Sequence, residues 1–321
     1  MKNHFFTFLK ICFAIGLIIY AEHKGIIRWS DLDILWEQKL KLFVSIIIII
    51  LVNLNIALRW KRLIHHAQPE TSESSFFRFS VVVFISAFFN TFLPGSVAGD
   101  LLRFKYANYL HSKLDTKKTL STSLIDRLGG LLNLIFLAGV GSFAIPFSHG
   151  ALGYTFLIVQ FLSILSLMYF VFLFFPTKIS YKYVEKIPFF KSSHKNFLKI
   201  MISYQKPLRL NAFLTFINQV FILGMLLWWY LPNLNGILDA IHAISASALG
   251  LMLTSVPIAP AGAGVGHILF ETLFNYLGLP NGALVFNIYF ILVIFVNLIG
   301  LIPFLLIKSD SALKKEQKII L

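Results

Sequence analysis

Residues 42–58 read LFVSIIIIILVNLNIAL, a run of seventeen positions without a charge. No other feature limits the fold so sharply. Such a run approaches the ~20 residues that an α-helix needs to cross a ~30 Å hydrocarbon core. The span expected around it is 39–58, and comparable apolar stretches recur at 4–20, 119–146, 151–176, 208–230 and 283–307. Inside a bilayer every backbone N–H and C=O must be satisfied within the protein, which leaves helices and closed barrels. The ~10-residue alternating segments of a barrel are absent. The predicted fold is therefore all-α, a polytopic integral membrane helical bundle of about 6–8 transmembrane helices. It forms a single transmembrane domain over 1–321. Composition agrees, with 57% of residues hydrophobic and only 13% charged, against ~25% charged in a soluble domain. Lys2 and Lys10 flanking an apolar run mimic a signal peptide. No small-x-small cleavage site follows, so 4–20 is expected to remain as a first span. Cys12 stands alone and excludes an intramolecular disulfide.

The net charge of +14 is read as the positive-inside bias of membrane proteins. No soluble basic module exists, so nucleic acid is not an expected partner; the membrane is. The basic stretches RWKRLIHH (59–66), 177–207 and KSDSALKKEQK (308–318) assign the loops at 59–75 and 177–207, and both termini, to the cytoplasm. Trp29, Trp36, Trp228, Trp229 and Tyr230 are expected in interfacial belts.

Two segments break. In 76–103 an apolar arm reaches Pro94-Gly95 and continues through Asp100 and Arg103 toward Lys105. A full return span would carry Arg103 and Lys105 near its centre, at about 2.5–3.5 kcal/mol each. A re-entrant hairpin avoids that cost. The second segment, 237–279, breaks at Pro257, Pro260, Gly262, Gly264 and Gly266. Its arms are either full spans or a second hairpin. Interrupted helices in inverted orientation point to a transporter-like site. The plainer alternative is a Pro/Gly kink or a short loop. Within the second segment, Ala240, Ala243, Ser245, Ala246, Ser247, Ala248 and Gly250 make a slim helix suited to close packing.

The polar residues in and near these breaks suit an anion. Helices restarting after Gly95 and Gly262 offer free N–H groups and a positive dipole end. Arg103 and Arg127 add planar, bidentate donors. Asp100 either caps its helix or orients an arginine. Asp126 and Arg127 either face the cavity, or join two helices as an ion pair, or sit at the interface. His267 and Glu271 share one helix face. They make no His-Glu-x-x-His pattern, so a polar contact or proton coupling is expected rather than metal. Asn53, Asn55, Asn218, Gln219, Asn287 and Asn297 are expected to hydrogen-bond between helices. GAGVGH (262–267) fails as a nucleotide loop, since its third glycine position is His267 and no strand precedes it. No cofactor and no catalytic motif are expected.

The stretches NTFLPGSVAGDLLR (90–103), STSLIDRLGGL (121–131) and SVPIAPAGAGVGHILFETLF (255–274) resemble the lysylphosphatidylglycerol synthase transmembrane region. This is the flippase-like domain of the bacterial multiple peptide resistance factor, also found as a stand-alone membrane protein. The likeness extends over roughly 10–307. Its pattern falls on Asn90, Pro94, Gly95, Gly99, Asp100, Arg103, Ser123, Asp126, Arg127, Ser255, Pro257, Gly262 and Gly264. A glutamate common after the glycine segment is His267 here, and the acidic residue of the second motif is Asp126 where Glu is frequent. The soluble aminoacyl-transferase domain of the resistance factor is not in this sequence. The resemblance implies a fold with re-entrant helices and a lipid-translocating activity, without naming the lipid. Joined to the anion-suited residues, it gives the expectation of a bacterial inner-membrane protein that moves an anionic phospholipid or a polyprenyl-phosphate lipid. On that expectation Arg103 and Arg127 hold the phosphate and Asp100 orients Arg103. The alternatives are an intramembrane enzyme acting on a lipid phosphate, using Asp100, Asp126, His267 or Glu271, and a non-catalytic partner of a separate lipid-modifying transferase.

Overall fold

The computed structural model describes residues 32–71, 74–92, 98–106, 114–145, 149–174, 194–255, 262 and 264–307. The expected first span at 4–20, Trp29, Pro94-Gly95, Pro257, Pro260 and the tail at 308–318 lie outside these residues. So does 177–193 of the basic loop.

The described helices are α1 (Leu32–Glu37), α2 (Lys39–Ala67), α3 (Phe76–Phe92), α4 (Ala98–Lys105), α5 (Thr116–Ser142), α6 (Ala151–Phe174), α7 (His194–Tyr230), α8 (Ile237–Thr254), α9 (Val265–Tyr276), α10 (Gly282–Asn297) and α11 (Leu301–Leu306). A short 3-10 turn, Leu298–Gly300, joins α10 to α11. Among the described residues there is no strand, and six helices are long and apolar enough to cross a membrane. These include 237–254, which the sequence left open between a full span and a hairpin arm. The polytopic all-α bundle is as expected.

Two helices extend past their hydropathy limits. The apolar run at 39–58 belongs to a helix that continues to Ala67, through the stretch read as a basic loop. Likewise α7 begins at His194, inside the segment read as the loop 177–207, and runs through Pro207. Hydropathy marks where lipid ends. It does not mark where the i→i−4 ladder ends, and Lys and Arg are good helix formers.

The bundle is held by close approach. Lipid is as apolar as leucine, so small residues and interhelical hydrogen bonds do the joining. On α6, Leu157, Ile158, Phe161 and Met168 are exposed, which is the outward face of a lipid-facing helix. Its buried Ser163 lies where a side chain on Gly139 of α5 would stand. Ser166 donates to the Leu132 carbonyl at 2.8 Å. On the other side of α5, Ser245 of slim α8 donates to the Ala138 carbonyl at 2.9 Å and abuts Gly141. Ala243, Ala246, Ser247 and Ala248 are buried alongside, which is the close packing the sequence predicted. Trp229 and Tyr230 turn into the protein. Both are buried, with Trp229 Nε1 donating to Ser45 Oγ at 2.9 Å and the Tyr230 hydroxyl to the Pro280 carbonyl at 2.8 Å. A ring with a polar tip finds its partner inside the bundle as readily as at a headgroup. Trp36 is exposed.

Candidate functional site: a polar cavity between the interrupted helices

The first interrupted element is a tight pair. At about 1.5 Å per residue, α3 is ~26 Å long and α4 only ~12 Å, too short to recross the core. They pack together where a side chain on Gly99 would collide with the Ser86 carbonyl and the Asn90 side chain. Asn90 Oδ1 accepts the Gly99 N–H at 2.8 Å. One orphan donor at the N-terminus of α4 is thus already satisfied from α3.

The second element turns with φ of +76° at Gly262 and +72° at Gly264, a region that L side chains rarely enter. Gly262 packs against Thr254 at the end of α8, and Gly264 is the residue before the first turn of α9. Gly266 lies where any side chain would strike the Phe286 ring of α10. At twelve residues, α9 is ~18 Å long and also short of a span.

Both elements open on one cavity of about 340 Å³. From the first come Asn90, Thr91 and Arg103; from the second come Leu251, Thr254 and Ser255. Asn53 of α2, Gln219 of α7, and Tyr289 and Asn297 of the last span complete the polar wall. Among the described residues Arg103 is the one charged side chain in that lining. It is buried, and its guanidinium stands 5.1 Å from the Trp60 ring centroid. Such a cation–π contact contributes roughly 0.5–2 kcal/mol and fixes the plane of the fork.

The asparagines hold the surrounding helices in register, as expected from the sequence. Asn53 Nδ2 donates to Asn297 Oδ1 at 3.2 Å, and Asn297 Nδ2 donates to Thr91 Oγ1 at 2.8 Å. This chain links α2, the last span and α3. A second link runs from Asn55 Nδ2 to Asn218 Oδ1 at 2.7 Å, joining α2 to α7. Gln219 is a cavity residue instead.

The remaining sequence candidates lie elsewhere. Asp126 is buried and ion-paired at 3.1 Å to Arg59, a residue first read as part of a cytoplasmic loop. Arg59 also donates to Thr215 Oγ1, so the pair ties α2, α5 and α7 together. Arg127 is half-buried on α5 and outside the cavity lining. His267 Nε2 donates to Asn287 Oδ1 at 3.1 Å and packs edge-on against Phe286. Glu271 Oε2 accepts the Ala283 N–H at 2.8 Å, capping the start of α10, and its Oε1 accepts from Asn275 Nδ2 at 3.0 Å. Both residues therefore make polar contacts within the bundle. Among the described residues no three His, Cys, Asp or Glu side chains gather as a metal would need. Of Asp100 the backbone alone is described, in the first turn of α4. Pro94, Gly95 and Pro257 fall in the undescribed links at the two breaks.

A comparison with curated proteins gives no match. The family model of the lysylphosphatidylglycerol synthase TM region matches residues 8–305, which take in both interrupted elements and every wall of the cavity. The chain therefore belongs to the lysylphosphatidylglycerol synthase TM region family.

Proposed function

We propose that this protein moves an anionic phospholipid or lipid-linked headgroup across the bacterial cytoplasmic membrane, with both termini on the cytoplasmic side. The observation that carries the reading is one cavity, walled by both interrupted elements, whose one charge among the described residues is the positive Arg103. Its planar guanidinium offers the forked donors that a phosphate accepts in pairs. Trp60 holds the guanidinium plane ready for two parallel hydrogen bonds. Amides and hydroxyls from Asn90, Gln219, Thr254 and Ser255 surround the rest of the headgroup. A volume near 340 Å³ falls at the lower end of the ~300–1,000 Å³ typical of small-ligand sites. It suits a headgroup and leaves the acyl chains in lipid. The two interrupted elements act as re-entrant hairpins whose alternate opening admits the headgroup from either side.

The test is translocation in proteoliposomes holding labelled phosphatidylglycerol, phosphatidylcholine or a polyprenyl phosphate. Selective movement of an anionic lipid is expected, with Arg103→Ala reducing it at least a hundredfold. Arg127→Ala, outside the lining, is expected to stay within about threefold of the parent. Undiminished movement by a well-folded Arg103→Ala protein sinks the assignment. A new lipid product in place of movement would identify an intramembrane enzyme.

A further inference from the structure

A second hollow, of about 710 Å³, opens where the ends of α2, α6 and α7 meet. It shares no residue with the polar cavity. One wall is cationic, with Arg62 from α2 and Lys206 and Arg209 from α7, next to His65 and His66. The other is apolar, with Phe174, Pro207, Leu210 and Phe213. The walls are built. Gln205 Nε2 donates to the Phe172 carbonyl at 3.1 Å, and Arg209 Nε donates to the Leu173 carbonyl at 2.7 Å. The last turn of α6 is thereby pinned to α7, with the Arg209 guanidinium held at the groove. Phe174 and Phe213 stand 51% and 54% exposed at the edges of two membrane spans. From Phe213 to Lys206 the helix rises about 10 Å, close to the step from the acyl region into the headgroup layer.

We propose that this groove binds one anionic phospholipid of the adjoining leaflet, its phosphate among Arg62, Lys206 and Arg209 and an acyl chain along Phe174 and Phe213. Basic pockets between membrane helices select anionic headgroups in this way. A soluble anion would leave the aromatic wall unused, and a zwitterionic lipid would leave the cations uncompensated. The inference is independent of the cargo reading, because it concerns residues outside the cavity.

The experiment is lipid binding to purified, detergent-solubilised full-length protein, followed by native mass spectrometry and by thermal shift. Phosphatidylglycerol is expected to bind and to raise the melting temperature, with phosphatidylcholine weaker by tenfold or more. The double variant Arg62→Gln/Lys206→Gln removes two exposed cations and is expected to weaken binding by about thirtyfold. Lys61→Gln/Lys118→Gln removes the same charge at positions outside the groove and is expected to change it less than threefold. Phe213→Ser, which keeps every cation, is expected to weaken binding as well. Equal loss in both double variants would reduce the groove to diffuse surface potential and overturn the proposal. Competition by soluble glycerol phosphate at millimolar concentration would also overturn it, since the site would then hold an anion and not a lipid. A loss of lipid transport in Arg103→Ala leaves this binding unchanged, so the two readings fail separately.

Discussion

The Asp126 carboxylate and the Arg59 guanidinium are each about one-twentieth exposed, and they join three helices with Thr215. Removing one partner of such a pair strands the other charge, at about 3–5 kcal/mol, whereas replacing both with apolar side chains is close to neutral. Asp126→Ala should therefore lower the melting temperature in detergent sharply, and Arg59→Met/Asp126→Leu should recover most of it. Glu271 makes a finer distinction. Its role as acceptor for the Ala283 N–H survives in Glu271→Gln and is lost in Glu271→Ala. The expected cost is about 1–2 kcal/mol for the alanine variant and little for the glutamine one. Transport by Glu271→Gln at the parental rate would remove Glu271 from any proton-coupling scheme. The Arg59 role was hidden in the sequence because RWKRLIHH looks like a basic loop. The signal was present at helical spacing. Asn55 and Arg59 lie four apart on α2. Asn211, Thr215 and Asn218 repeat every three to four residues on α7. Two polar stripes of matching pitch face each other, and each buries the other.

Among the elements, the α3–α4 pair is the most exacting. A methyl group on Gly99 meets the Ser86 carbonyl and the Asn90 amide, while one on Gly130 of α5 meets nothing within 4 Å. Gly99→Ala is expected to pry α4 from α3, displace Arg103 and cut transport tenfold or more. Gly130→Ala should leave transport within twofold. Equal behaviour of the two variants in the proteoliposome assay would dissociate the hairpin geometry from function. The break in 76–103 was legible because charges and a Pro-Gly pair interrupt an apolar run. The slim face of α8 was legible from its alternating Ala, Ser and Gly. The true helix ends were not, since the ladders of α2 and α7 continue past the point where side chains turn polar. Nor could hydropathy decide 237–254. A helix half walled by protein needs fewer apolar residues than one facing lipid on all sides.

For the whole molecule, the cavity predicts which positions water can reach. With Cys12 replaced by serine, Ser255→Cys lies on the cavity wall and should react with a membrane-impermeant thiol reagent. Ser163→Cys, buried between α5 and α6, should not. Anionic lipid headgroup analogues are expected to slow labelling at 255 several-fold. Indifference of that rate to the analogue would empty the cavity of its proposed cargo. What the sequence could supply at this scale was the pairing of two interrupted segments. That Asn90 and Arg103 share a wall with Ser255, while Asp126 and Arg127 do not, depends on which helices touch. Spacing along one chain carries no such information.

The length of α7 has one more consequence. Its 37 residues extend about 55 Å, nearly twice the depth of the hydrocarbon. A rod of that kind is a lever. About a third of the way along, Pro207 omits a rung of the hydrogen-bond ladder, which makes that turn the natural fulcrum. About 18 Å further along, the same rod carries Gln219 into the cavity wall. On the transport reading, a push on the arm before Pro207 is expected to reach the cavity wall at Gln219. A lipid wedged at Pro207 would stiffen the fulcrum, so the composition of the surrounding bilayer would set how freely the arm swings.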